Sequence, residues 1–276
     1  MEKFKVYIDD KEISLKTFIF SGGEVQVKVA SNRNWARGST SKIVAHVRSS
    51  DDIMTLMLLN DAIIREYNPR VRRLLMPYLP YARQDRVCAS GEALALKVCT
   101  DLINSLKFDN VEIWDCHSDV GVALLDNCHN RDQKEVIVAS QELIDIIRNP
   151  CTVLVSPDAG ANKKTLEVAK FFQAHGVIRA DKVRDVKTGQ ITGTEVYGDV
   201  ESKVCVIVDD ICDGGMTFIK LAEALHEKGA DRVILYVTHG IFSKGIKAVV
   251  DWGICEVYTP NYWPTEESDY VNIIKV

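Results

Sequence analysis

Apolar and polar residues alternate through the first fifty positions, so residues 4–8, 17–20, 25–29 and 43–47 read as short strands with one covered face. From Asp52 the period lengthens. Ile53, Met57, Leu58, Ala62 and Ile63 fall on one helical face, with Ser49, Ser50 and Asp51 ahead of them as caps. Thereafter strands and helices take turns. Strands are predicted over 72–76, 111–114, 152–155, 177–180, 204–208, 233–238 and 254–258, and helices over 92–106, 141–148, 161–175, 216–228 and 244–250. Apolar strands separated by amphipathic helices build parallel sheets covered on both faces, so the expected class is α/β.

This order is built twice. A polar stretch at 133–140, followed by Asn149 and Pro150, marks the expected join and gives domains over 1–138 and 139–276. The polar segment 181–197 separates two strands and reads either as a plain hairpin or as a functional loop. A length of 276 residues suits about two domains. The 46% apolar and 26% charged content is that of a soluble chain with room for real cores. A net charge of −5 argues against a nucleic-acid partner. The first residues, MEKFKVYIDD, are charged too early for a signal peptide, and no apolar run reaches spanning length; a cytoplasmic protein off the membrane is expected. Eight cysteines include no CxxC pair. The dipeptides Cys116-His117 and Cys128-His129 match no zinc spacing, which favours reduced thiols.

Candidate chemistry concentrates at 204–217, VCVIVDDICDGGMT. An apolar strand runs into Asp209 and Asp210, and Asp213-Gly214-Gly215-Met216-Thr217 opens an amphipathic helix. Glycines at a helix start let backbone N–H groups approach a phosphate, and carboxylates at the same strand end can accept hydrogen bonds from vicinal hydroxyls or hold a metal through water. Asp213 alone could be a helix cap; two adjacent carboxylates have no capping role. The segment therefore reads as a site for a ribose ring and its phosphate.

At this point a resemblance enters. VIVDDICDGGMT is similar to the phosphoribosyl-diphosphate loop of phosphoribosyltransferases and ribose-phosphate pyrophosphokinases, and the rest of the chain selects the second group. PYLPYARQDR at 77–86 resembles the PYxxYARQDR segment of that family's ATP site, and WDCHS at 114–118 its DLHA metal segment. VSPDAGA at 155–161 resembles the pyrophosphate segment SPDAGG, DKVR at 181–184 the start of the catalytic flexible loop, FSGGE at 20–24 the FSDGE segment, and THGI at 238–241 the THGV segment. The resemblance implies two similar phosphoribosyltransferase-type domains, the first carrying the ATP segments and the second the ribose-phosphate and flexible loops. It implies Mg2+-dependent transfer of the diphosphoryl group of ATP to the C1 hydroxyl of a ribose 5-phosphate-type acceptor.

The same resemblance assigns roles. Lys182 and Arg184 become catalytic; Phe20, Glu24, Arg83, Gln84, Asp85 and His117 bind ATP; His117 and Asp158 hold the metal. Asp209, Asp210, Asp213, Gly214, Gly215, Met216 and Thr217 bind the ribose phosphate. Phe20 and Glu24 would reach a neighbour's adenine, which implies a homo-oligomer, dimer or hexamer. Read without it, Lys182 and Arg184 fit a solvated loop, Arg83 a surface ion pair, His117 a core histidine, Phe20 a core residue and Glu24 a strand-face charge. A phosphoribosyltransferase and a catalytically silent family subunit are the competing functions.

Two departures matter. Where the family reads D-T-A/C-G-T, residues 213–217 read DGGMT, so one threonine hydroxyl is lost and Met216 replaces a glycine. Fewer donors and more room at the 5-phosphate raise the expectation of an extended acceptor such as ADP-ribose beside ribose 5-phosphate itself. Residues 91–97, GEALALK, replace a basic R-x-P-I-S-A-K stretch, which predicts weak or absent phosphate activation.

Overall fold

The structure, a computed structural model, describes residues 2–31, 38–184 and 191–276, the side chains of 182–184 and 191–192 excepted. The chain divides into two compact units, Met1–Arg131 and Asp132–Val276.

In the first unit the order is β1 (Phe4–Ile8), β2 (Lys11–Ile13), β3 (Leu15–Ile19), β4 (Val25–Val29), β5 (Thr40–Ala45), α1 (Ser50–Tyr67), β6 (Val71–Leu75), α2 (Ala95–Ser105), β7 (Asn110–Trp114), α3 (Asp119–Leu124) and β8 (Cys128–Arg131). Six strands form a sheet in the order β2-β1-β5-β6-β7-β8. It is parallel from β5 onward, while β1 runs antiparallel to both its neighbours. The hairpin β3–β4 is a separate two-stranded sheet that packs through β4 against α1, burying Val27 and Val29.

Helix α1 starts where Ser49 accepts the Asp52 N–H at 3.3 Å and stops at Asn68, whose φ of 44° turns the chain left-handed. Its covered face is Ile53, Leu56, Leu59, Ile63 and Tyr67. Met57 and Leu58, expected on that face, are only half-buried. The stripe winds one residue further round because Leu56 and Leu59 pack into the core; each such burial is worth about 1.5–3 kcal/mol.

The second unit contains α4 (Gln133–Ile137), α5 (Gln141–Arg148), β9 (Thr152–Ser156), α6 (Asn162–Phe172), β10 (Val177–Arg184), β11 (Ile191–Tyr197), β12 (Val204–Cys212), α7 (Met216–Glu227), β13 (Arg232–Gly240), α8 (Lys247–Val250), β14 (Ile254–Thr259), β15 (Asn261–Tyr262) and β16 (Val271–Ile273). The sheet order is β11-β10-β9-β12-β13-β14-β16, with β15 beside β13, and all pairs are parallel except β10–β11. Alternate strand residues feed two cores. Val153, Val155, Cys205, Ile207, Val233 and Leu235 join one face, whereas Leu154, Val206, Val208, Ile234 and Tyr236 join the other. A sheet apolar on both faces must be covered on both faces, which confirms the α/β class.

Several expected boundaries move for local reasons. The predicted helix at 92–106 begins only at Ala95, because the Glu92 carboxylate accepts the Cys88 and Ala89 N–H groups and closes a turn. The predicted helix at 244–250 shrinks to α8, since Gly245 takes φ 80°. The polar stretch 133–140 contains a helix, α4, held by a capping box between Asp132 and Glu135. Of segment 181–197, the described residues 181–184 and 191–197 belong to β10 and β11, which pair antiparallel from Arg179↔Tyr197 to Arg184↔Ile191; residues 185–190 lie outside the described residues.

Candidate active site

In the second unit, β9 leads through α6 to β10 on one side, and β12 leads through α7 to β13 on the other. The ends of β9 and β12 thus flank the point where strand order reverses, the crevice in which open parallel sheets bind ligands. After β9, Ser156 Oγ donates to the Asp158 carbonyl at 2.8 Å, and Asp158 Oδ1 accepts the Ala161 N–H at 3.0 Å. This turn starts α6 and brings the Asp158 carboxylate near β12.

The sequence suggested that the strand ends at Val208; β12 instead continues to Cys212, because β13 keeps pairing with it as far as Cys212↔Gly240. Asp209 and Asp210 therefore lie inside a strand, beyond its last pairing with β9 at Ile207↔Val155. Asp209 Oδ1 accepts the Asp210 N–H at 2.9 Å. Asp210 is buried and its carboxylate lies 3.8 Å from Lys164 Nζ. Withdrawal from water, followed by the charges of Asp210 and Asp158, raises the Asp209 pKa well above the usual carboxylate range. Burial, with Asp209 and Asp213 nearby, likewise raises the Cys212 thiol pKa.

Past Cys212 the chain turns into α7. Gly215 is its N-cap at φ 78°, and a β-carbon there would meet Val249 Cγ2 at 2.6 Å. Only glycine fits. Asp213, Gly214 and Thr217 are half-buried and Met216 is exposed. Phe218 and Ile219 N–H donate to the Gly215 carbonyl at 3.0 Å, so the amides ahead of them at the start of α7 are the ones that suit an anion. The THGI segment lies under this loop rather than in it. Thr238 and His239 are buried; Tyr236 Oη and Thr238 Oγ1 lie 3.0 Å apart, and Asn261 Nδ2 is 3.1 Å from His239 Nδ1. Lys182 and Arg184 belong to β10 by backbone pairing, and their side chains lie outside the described residues.

In the first unit the segment after β6 meets the segment after β7. Asp85 is buried, with Oδ1 accepting from Arg86 Nε at 2.8 Å. The hydrogen bonds from Arg86, with the Ser118 side chain and the charges of Arg86 and His117 adding to them, lower its pKa to about 2. Asp85 is thus buried and paired with its neighbour Arg86 where the two segments meet, whereas Arg83, Gln84 and His117 are exposed. Tyr81, at φ 61°, ties the same segment to α1 through Ser50 at 3.2 Å. Phe20 and Glu24 are exposed at the β3–β4 turn, where Phe20 N–H donates to Glu24 C=O at 2.9 Å and Phe18 meets Phe20 edge-on at 5.2 Å. Neither is core.

Lys164 was missed by sequence reasoning. Its signal was available: α6 opens with Lys163 and Lys164 and has no acidic residue in its first turn, the reverse of what the helix dipole favours. A basic first turn is tolerated where carboxylates lie opposite.

Comparison with known proteins covers both units. The model of the N-terminal domain of ribose phosphate pyrophosphokinase matches residues 4–106, and that of the phosphoribosyl synthetase-associated domain matches residues 160–275. The ribose-phosphate pyrophosphokinase of Buchnera aphidicola is 34% identical over 228 residues, spanning 81% of this chain and 70% of that protein. That of Haemophilus influenzae is 32% identical over 254 residues, spanning 90% and 78%. The crystal structure of phosphoribosylpyrophosphate synthetase from Mycobacterium smegmatis superposes with a TM-score of 0.80 over 96% of this chain and 87% of that one, at 23% identity, which speaks for the fold. With both halves matched and a third of the residues identical across most of the relatives' length, this chain belongs to the ribose-phosphate pyrophosphokinase family of transferases.

Proposed function

We propose that the protein transfers the diphosphoryl group of ATP to the C1 hydroxyl of a ribose 5-phosphate-type acceptor, releasing AMP. The acceptor is ribose 5-phosphate or a form extended at that phosphate, such as ADP-ribose. One observation carries the reading: Asp158, Asp209 and Asp210 gather at the strand-order reversal beside the glycine-rich start of α7. Hydroxyl acceptors for a sugar and amide donors for its phosphate then stand side by side.

In this reaction the sugar oxygen attacks the β-phosphorus, the bond from that phosphorus to the α-bridging oxygen breaks, and the hydroxyl proton is lost. Such a transfer depends on positioning and on neutralising charge. Lys182 and Arg184 serve that neutralisation from the β10 arm; Arg83 and Gln84 hold ATP through planar donors. Asp209, Asp210 and Asp213 orient the ribose hydroxyls, and Gly214, Gly215, Met216 and Thr217 cup the 5-phosphate.

Mg2+, when bound, offsets the charge of the ATP phosphates. The donor chemistry fits it: Asp158 and Asp210 are carboxylates at neighbouring strand ends of the second unit, and carboxylate oxygen is the hard donor that Mg2+ takes, directly or through its waters. His117, exposed at the end of β7 in the first unit, is a nitrogen donor that suits hydrated Mg2+ on the ATP phosphates. Mg2+ commonly binds through one or two carboxylates plus substrate phosphates, so no larger ligand cluster is required. The exposed Phe18, Ile19 and Phe20 support a homo-oligomer in which Phe20 and Glu24 complete a neighbour's ATP site. The test is AMP release from ATP and Mg2+ across a panel of ribose phosphates; no release with any of them sinks the proposal.

A further inference from the structure

The loop after β13 carries a cation over the start of α7. Ile241 and Phe242 N–H donate to the Cys212 carbonyl at 2.9 and 3.1 Å, and Ser243 N–H to the Asp213 carbonyl at 3.2 Å. These bonds fix the loop on the strand that leads into Gly214. Gly245 then turns the chain at φ 80°. Between these anchors Lys244 lays its stem beside Gly214: a β-carbon on Gly214 would meet Lys244 Cε at 3.7 Å and Cδ at 4.0 Å.

Gly214 differs from its neighbour. Gly215 needs its positive φ, but Gly214 does not adopt one, so the backbone alone gives no reason for glycine there. Its bareness leaves space on the side where Lys244 lies. The lysine is exposed and forms no ion pair with another described residue. The amides of α7 already supply donors for one phosphate. A rooted lysine on the open flank adds a positive charge that a monophosphate ester does not require.

We propose that Lys244 is a specificity-determining residue that meets a second phosphoryl group joined to the 5-phosphate, so the acceptor class is a ribose 5-diphosphate ester. This deepens the diphosphoryl-transfer reading above and rests on it. The ester linkage passes over Gly214, and the lysine ammonium takes the charge of the outer phosphate.

The experiment compares kcat/KM for ribose 5-phosphate and for ADP-ribose, the probe diphosphate ester, by AMP release at saturating Mg-ATP. Wild type, Lys244→Met and Lys244→Arg are measured, with a melting curve for each. Wild type is expected to favour ADP-ribose. Lys244→Met lowers kcat/KM for ADP-ribose about tenfold more than for ribose 5-phosphate, mainly through KM, which is the scale of one charge-assisted contact. Lys244→Arg recovers most of the difference. Equal losses for both acceptors, or no loss for either, overturn the proposal. Activity of wild type with ribose 5-phosphate alone also overturns it while leaving diphosphoryl transfer standing. AMP release with neither acceptor overturns both.

Discussion

A single buried carboxylate sets how the segments after β6 and β7 of the first unit respond to acid. Asp85 is held at about pKa 2 chiefly by Arg86, below its ordinary value of 3.8. A lowered carboxylate contributes stability that is complete above the ordinary value and drains away as pH falls toward about 2. Asp85→Asn is therefore expected to cost about 1–2 kcal/mol at pH 7, allowing for the exposed Arg86 partner, and progressively less between pH 4 and pH 2. Urea unfolding of both proteins at several pH values checks this; a gap that does not narrow in acid refutes it. The two glycines ahead of α7 give a second contrast. Gly215→Ala places a β-carbon 2.6 Å from Val249 on a left-handed backbone and should cost about 2–4 kcal/mol. Gly214→Ala meets only the flexible Lys244 stem and should melt within about 2 °C of wild type. The nature of these residues was legible in the sequence, but their separate duties were not. DGGMT reads as one phosphate loop, whereas φ 78° at Gly215 makes that glycine architectural and leaves Gly214 as the one open to change.

At the scale of elements, periodicity found the strands that both cores use and missed those at the margins. β9, β12 and β13 are runs of Val, Ile and Leu, and burial on both faces leaves no other reading. β8 (CHNR) is an edge strand with little apolar pattern, and α3 (DVGVAL), though mostly apolar, is too short to show a helical period. The length of β12 was also hidden: Asp209 and Asp210 look like the end of a strand until β13 is seen to pair beyond them. The β3–β4 hairpin is informative in the opposite way, for its apolar residues are on show. Ile19 is 66% exposed beside Phe18 and Phe20. On the oligomer reading, Ile19→Asp should shift the protein toward the monomer in light-scattering chromatography, raise KM for ATP and leave the melting temperature of the monomer nearly unchanged. An unaltered mass at the same concentration would remove the hairpin from the interface.

At the scale of the molecule, each unit has its own sheet and core, and the division falls at 131/132, ahead of the polar stretch that the sequence offered as the join. What linear order could not announce is which charges the second sheet gathers. Asp158, Lys164 and Asp210 are brought together only because β9 and β12 are neighbours although β10 and β11 intervene in the chain. That gathering has a consequence for evolution as much as for chemistry. A carboxylate pushed to high pKa by burial and by neighbouring carboxylates is locally frustrated, and a protein that carries it gives up folding free energy. Asp209→Asn should therefore melt about 2–4 °C above the unliganded wild type while losing activity, the reverse of an ordinary core substitution. A lower melting temperature would show instead that the charge is satisfied in the resting protein. If the gain is seen, selection for stability alone would erase this aspartate, and its retention becomes a record of use.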